Sequence, residues 1–233
     1  MSEAITVRSA EIAQLICGAA QMDVSLTEVQ AHQLLDYLDL LQKWNKAYNL
    51  TAVRERPAML TQHLLDSLSV VSHLPPGDLL DVGSGGGLPG IPLAILQPER
   101  SITLIDTVGK KVAFLKQAAM TLGLKHLSAV SDRVESWVPP AAHAGGFALI
   151  TARAYATLNT LVGQTRRLLA ENGAWYAMKG VFPDAEMAEL PSDVAVKAVI
   201  PLKVPGLGAE RHLVVLASDG AKPPVSMNEF SEN

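Results

Sequence analysis

Leu34, Leu35, Leu38 and Leu41 recur at helical spacing, and Leu60, Leu64, Leu65, Leu68 and Val71 repeat the pattern further on. Such spacing lines one face of a helix with apolar side chains, so residues 1–75 read as a helical extension. Thr27 to Gln30, with Ser25 nearby, offers a helix start. Between the two apolar stripes runs KWNKAYNLTAVRERP, polar, basic and aromatic, which reads as a functional connector rather than a helix interior. Pro75-Pro76-Gly77 then breaks the chain.

Past that break the period changes. DLLDVG, SITLID, HLSAVS, FALITAR and GAWYAMKG are five short apolar runs. Helical stretches follow three of them, at about Pro89 to Leu96, Lys110 to Leu122 and Leu158 to Leu169. Strands alternating with helices predict a parallel sheet covered on both faces. VAVKAVIPL and RHLVVLAS are separated only by a short Pro/Gly segment, too short for a helical crossover, and predict an antiparallel pair. The expected organisation is a helical extension over 1–75, a sheet domain over 76–220 and a loose tail over 221–233.

Composition narrows the class. Apolar residues make up 48% of the 233, enough to bury a substantial core. The single cysteine, Cys17, forms no internal disulfide, which favours a reducing compartment. MSEAITVRSAE lacks the basic start and apolar stretch of a signal peptide, and no apolar run approaches the roughly 20 residues that span a bilayer. A soluble cytoplasmic protein without membrane or metal partners is expected. The net charge of −4 resolves into −5 over residues 1–42, +5 over 43–179 and −4 over 180–233. A basic middle suits a polyanion, and ordinary surface charge explains it equally well.

The densest chemistry lies in LLDVGSGGGLPGIP, residues 79–92. A strand, then Gly83-x-Gly85-x-Gly87, then a helix, is a nucleotide-binding layout, in which bare backbone meets the ligand at the carboxyl end of the strand. Gly85, Gly87 and Gly90 also satisfy the dinucleotide pattern, so an NAD-dependent oxidoreductase is one reading. Asp106 ends the second strand and is placed to accept hydrogen bonds from two ribose hydroxyls, which fits NAD and S-adenosylmethionine alike. Asp132, Val134 and Glu135 follow the third strand, either as an adenine-edge site or as acids at a helix N-terminus. The reversed last strand separates the readings, because a dinucleotide fold continues parallel, whereas a methyltransferase sheet closes on a reversed strand.

DVGSGGGLPGIPLAI, with KWNKAYNLTAV, HLLDSL, ITARAYA and YAMKG, resembles the bacterial small-subunit ribosomal RNA methyltransferase G family, also called glucose-inhibited division protein B. The resemblance runs from about Leu34 to the final strand. It implies an α/β, Rossmann-like S-adenosylmethionine-dependent fold with a seven-stranded, mostly parallel sheet. It also implies methylation of N7 of one guanine in 16S rRNA. Gly83, Leu88, Val134, Glu135 and Arg153 are the cofactor contacts the resemblance implies, beside Gly85, Gly87 and Asp106 from the loop pattern. Tyr155 stands where the family commonly has phenylalanine.

The expected partners are 16S rRNA or the small ribosomal subunit, bound by a monomer. A non-enzymatic assembly factor is the remaining alternative. Amino-group methylases carry an Asn/Asp-Pro-Pro-aromatic segment where this chain reads Thr151-Ala152-Arg153-Ala154-Tyr155, and pyrimidine C5 methylases need a cysteine nucleophile, from which Cys17 is remote. Guanine N7 needs neither, since its lone pair is exposed and carries no proton. No catalytic base is expected. Arg153 is open to the methionine carboxylate, a phosphate or the guanine edge. Tyr155 either stacks on the base or packs in the core, and Lys179 either contacts RNA or is a solvated strand end. Lys46 and Asn49 belong to a basic, aromatic stretch suited to single-stranded RNA, in which Trp44 and Tyr48 equally fit a core-facing helix. His63 and Asp66 are spaced to pair on one helix face, a buried and satisfied histidine being the other reading. Arg166 and Arg167 read as solvated.

Overall fold

The computed structural model describes the backbone of residues 2–221 and the side chains of residues 6–221. The tail expected over 221–233 lies outside the described residues save for Ala221. In chain order the helices are α1 (Ser2–Ala20), α2 (Glu28–Tyr48), α3 (Arg56–Met59), α4 (Asp66–Leu68), α5 (Gly90–Leu96), α6 (Gly109–Thr121), α7 (Leu158–Thr165) and α8 (Asp184–Ala188). A π-helical stretch, Leu60–Leu65, joins α3 to α4. The strands are β1 (Leu79–Val82), β2 (Ile102–Asp106), β3 (Leu127–Ser131), β4 (Phe147–Arg153), β5 (Leu169–Lys179), β6 (Val194–Pro201) and β7 (His212–Ser218).

They form one sheet in the order β3-β2-β1-β4-β5-β7-β6. The first five strands are parallel, and β7 runs antiparallel to both β5 and β6. The late strands therefore pair as their short connection predicts, and the sheet is the methyltransferase type with a reversed last strand. β7 lies inside β6, so β6 is the edge. Every residue of β1 and β2 is buried, as expected of strands covered on both faces. Successive side chains serve opposite faces. Leu79, Leu213 and Val215 face one core with the N-terminal helices, while Leu80, Val214 and Leu216 face the other with Leu161 and Trp175.

Thr27 caps α2 through a reciprocal box with Gln30, and Asn49 ends the helix in the left-handed conformation. The expected connector is therefore corrected, because residues Lys43 to Tyr48 are the last turns of α2 and only the segment from Asn49 onward leaves the helix. The polar composition hides an amphipathic turn in which Asn45 is buried and Trp44 packs at 5.6 Å on Phe114 of α6. Arg56 ties three helices by meeting Glu11 at 2.9 Å, Gln42 at 2.9 Å and Asp39. No helix among the described residues is long and apolar enough to cross a membrane.

Candidate functional site

The carboxyl ends of β1, β4 and β5 open onto one side of the sheet, where open α/β folds hold ligands. After Val82 the chain turns through Gly83 and Gly85, both at positive φ, +67° and +56°. Gly83 has a second reason to lack a side chain, since a Cβ there would come within 2.3 Å of the Tyr155 ring. The loop is tied down from several directions. The Gly83 N–H donates to Ile105 O at 2.9 Å, and Ser84 Oγ donates to Asp81 O at 2.7 Å. The Tyr37 hydroxyl, from α2, donates to Gly86 O at 2.6 Å. Burial pushes the Tyr37 phenol far up, so it stays a donor at neutral pH. The Asp106 Oδ2 accepts from Gly85 N at 3.0 Å and its Oδ1 from Val108 N at 2.8 Å. Lys111 Nζ stands 3.8 Å from the same carboxylate.

Two cavities meet over this loop and share Gly83, Lys111 and Ala154 in their walls. The smaller, about 260 Å³, is walled by Ile105, Asp106, Asp132, Val134 and Tyr155. The larger, about 560 Å³, is walled by Gly85, Leu88, His63, Asp66, Arg153, Lys179 and Arg211. Another hollow of about 560 Å³, beside Pro76, Gly77 and Arg100, lies at the opposite end of the strands and has no glycine loop in its wall.

Most of the residues singled out from the sequence thus come together, namely Gly83, Gly85, Leu88, Asp106, Val134, Arg153, Tyr155 and Lys179. Gly87 does not, because its missing side chain makes room for Ile91, whose Cδ1 would lie 2.4 Å from a Cβ. Gly90 likewise accommodates Leu104 and Asp81. A dinucleotide pattern uses its third glycine for packing and its second for backbone approach to a pyrophosphate; Gly87, in the second place, packs on Ile91 and Leu115 instead, which speaks against the NAD reading. The Glu135 side chain turns to Arg133 Nε, 2.8 Å away, and its backbone carbonyl accepts from Arg167. Lys46 lines a separate hollow with Lys43 and Arg54, and Asn49 Oδ1 accepts from Arg54 at 3.2 Å. The Tyr155 hydroxyl donates to Gln164 Oε1 at 2.6 Å, and Lys179 Nζ donates to Ala156 O at 2.8 Å and Glu186 Oε2 at 2.7 Å.

Sequence reasoning missed the centre of the larger cavity. His63 and Asp66 do not pair with each other. Asp66, buried at the start of α4, accepts at Oδ2 from Arg153 Nη1 and at Oδ1 from Arg211 Nε, both at 2.9 Å. Arg153 Nη1 also donates to Gln62 O. His63 Nε2 meets Thr51 Oγ1 at 2.9 Å, and burial, aided by Arg153, lowers the imidazole pKa to about 4. The only sequence signal was a histidine and an acid inside an apolar helix. Arg167 is also corrected, because it is not simply solvated. It donates to Val134 O at 2.7 Å, Trp137 O at 2.5 Å and Glu135 O at 3.1 Å, and so fixes the loop that walls the smaller cavity. Arg166 meets Asp193 at the surface.

The donor set suits a nucleoside joined to an amino acid. Gly83 and Gly85 offer bare backbone, Asp106 keeps a lone pair on each oxygen beyond those already used, and Val134 gives the smaller cavity an apolar wall. Among the described residues no cluster of His, Cys, Asp and Glu could hold a metal ion.

A family model described as rRNA small subunit methyltransferase G matches residues 30–214. A protein of Laribacter hongkongensis named ribosomal RNA small subunit methyltransferase G is 52% identical over 87% of this chain and 96% of its own length. One of the same name from Pseudomonas paraeruginosa is 50% identical over 87% and 94%. Among solved structures, a SAM dependent methyltransferase from Aquifex aeolicus aligns with TM-score 0.56 at 14% identity, covering 76% of this chain and 97% of that one. Coclaurine N-methyltransferase aligns at 0.51 and 11%, covering 84% and 73%. At such identities these two show a shared fold.

Proposed function

The chain belongs to the rRNA small subunit methyltransferase G family, and on that premise we propose that it methylates N7 of one guanine in 16S rRNA, using S-adenosylmethionine. The observation that carries the reading is Asp106, whose carboxylate holds the Gly85 N–H while facing the smaller cavity. Bound S-adenosylmethionine supplies an electrophilic methyl group on a sulfonium. Asp106 would receive the ribose hydroxyls, and Val134, with the backbone of Glu135 next to it, would border the adenine. Gly83, Gly85 and Leu88 form the floor. Arg153 spends Nη1 on Asp66 and Gln62 and keeps its other N–H donors for a carboxylate. The larger, basic cavity then receives the RNA. Lys179 lies at that cavity and Lys46 and Asn49 further out, as RNA contacts, while Tyr155 walls the smaller cavity beside it.

No residue needs to remove a proton. N7 carries a lone pair, so the protein's task is to bring two atoms to about 3–3.5 Å in line. The titratable groups agree with that. His63 is a poor base with its pKa lowered to about 4, and Asp66 is engaged by two arginines. Neutral His63 also keeps one further positive charge away from a site through which a cationic methyl passes. We place the enzyme in the cytoplasm as a monomer acting on rRNA or the small subunit.

The test is the 16S rRNA of a strain lacking this gene. Digests lose one N7-methylguanosine, the wild-type gene restores it, and Asp106→Ala does not. The Asp106→Ala protein binds S-adenosylmethionine more weakly, by on the order of a hundredfold or more, the loss of two charge-assisted hydrogen bonds. An unchanged digest refutes the substrate. Subunit binding without methyl transfer would instead mark an assembly factor.

A further inference from the structure

A base entering the larger cavity needs an aromatic face, and Tyr155 is not free to give one. Its ring lies against Gly83 and its hydroxyl is bound to Gln164. Trp44 is packed on Phe114, Trp137, Phe147, Trp175 and Tyr176 are buried, and the exposed Tyr48 has its ring taken by Trp44, centroids 5.2 Å apart, and by Lys110 Nζ 5.6 Å from its centroid. Immediately past Lys179 and Gly180, both in the cavity wall, the chain puts Val181 and Phe182 into solvent, 77% and 48% exposed.

Phe182 is held rather than loose. The His212 ring meets it edge to face, centroids 5.5 Å apart at 89°. His212 is itself fixed, because its Nδ1 lies 3.0 Å from Gly180 O. A carbonyl only accepts, so Nδ1 carries the proton there. His212 also follows Arg211, another wall residue, and pairs in register with Lys179. Thus Lys179 and Arg211 each put a cation in the cavity wall, and an aromatic ring follows each within three residues, the two rings meeting beside Gly180 without themselves lining the cavity.

We propose that Phe182, oriented by His212, is the stacking platform for an unpaired RNA base entering the methylation cleft. This rests on RNA being the substrate. Sequence-specific RNA recognition draws bases out of their stack onto aromatic side chains. A phenyl ring has no polar atom, so it reads no base identity. It fixes the plane of the base, and the polar wall below selects the edge. Cations for the backbone next to an aromatic for the base is the arrangement that single strands require. His212 is a positioning residue in this scheme.

The test measures methyl transfer to small ribosomal subunits purified from a strain lacking the enzyme. Phe182→Ala lowers kcat/KM for the subunit on the order of tenfold to hundredfold, the usual loss of one stacked base. Its thermal midpoint and its affinity for S-adenosylmethionine stay at wild-type values. Phe182→Tyr and Phe182→Trp restore transfer to within about threefold, because each retains a π face. Phe182→Leu keeps apolar bulk without that face and stays impaired. Wild-type kinetics in Phe182→Ala overturn the proposal. So does full activity in Phe182→Leu, which would make the rim an apolar protein contact. If wild-type enzyme itself leaves the subunits unmethylated, the functional reading fails, and this proposal falls with it.

Discussion

His63 and Asp81 are both buried, and burial drives each towards its neutral form. For His63 the pKa falls to about 4, and for Asp81 it rises to about 7 against the hydrogen bond from Gly90 N. Their effects on stability have opposite signs. Between about pH 4 and 6.5 unfolded His63 binds more protons than folded His63, so its contribution grows as pH rises. From about pH 4 to 7 folded Asp81 binds more protons than the unfolded residue, so its contribution shrinks as pH rises. In the shared window the two oppose each other. Relative to wild type, His63→Gln therefore shifts the slope of melting temperature against pH downward, and Asp81→Asn shifts it upward. Melts at pH 4.5 and 6.5 check this, and equal slopes in all three proteins contradict it. At this scale the place of Asp106 in the cavity wall was legible, because a strand end beyond a glycine loop opens onto the ligand side of the sheet. Asp66 was not, because its partners Arg153 and Arg211 lie 87 and 145 residues away in sequence.

Between residue and fold stand loops whose shape is set by a neighbour. Asp132 and Val134 wall the smaller cavity, yet the outer turn after α7 holds their loop, through the carbonyls of Val134, Glu135 and Trp137 gathered by Arg167. Arg167→Ala therefore weakens S-adenosylmethionine binding about tenfold without touching the ligand, and Arg167→Lys recovers only part, since an ammonium lacks the planar fork. Calorimetric titration decides, and unchanged affinity in Arg167→Ala speaks against the role. The strands were legible because apolar runs bounded by Gly and Pro leave few alternatives. The end of α2 was not. Lys43, Trp44, Lys46 and Tyr48 look like a connector until Phe114, some 70 residues on, supplies the surface that Trp44 covers. The outward face of Arg167 carried the same ambiguity.

At the scale of the whole molecule the N-terminal helices and the sheet share one core, in which Leu34, Leu38 and Leu68 pack in a common cluster with Leu79, Leu104 and Leu213. A chain beginning at residue 76 would expose that face of the sheet to water. It would also lose Tyr37 from Gly86, and Asp66 from the two arginines. We expect such a fragment to be insoluble or to lack a cooperative melt. A soluble, cooperatively melting fragment would show instead that the sheet stands alone. The Asp66 carboxylate, divided between Arg153 and Arg211, carries a consequence for biosynthesis. Its three contributors leave the ribosome far apart in time, and β6 waits without a hydrogen-bonding neighbour until β7 slips in between it and β5. A nascent chain can thus display a finished glycine turn and still lack its cationic clamp, so a premature stop codon ahead of Arg211 silences the enzyme while sparing every residue of that turn.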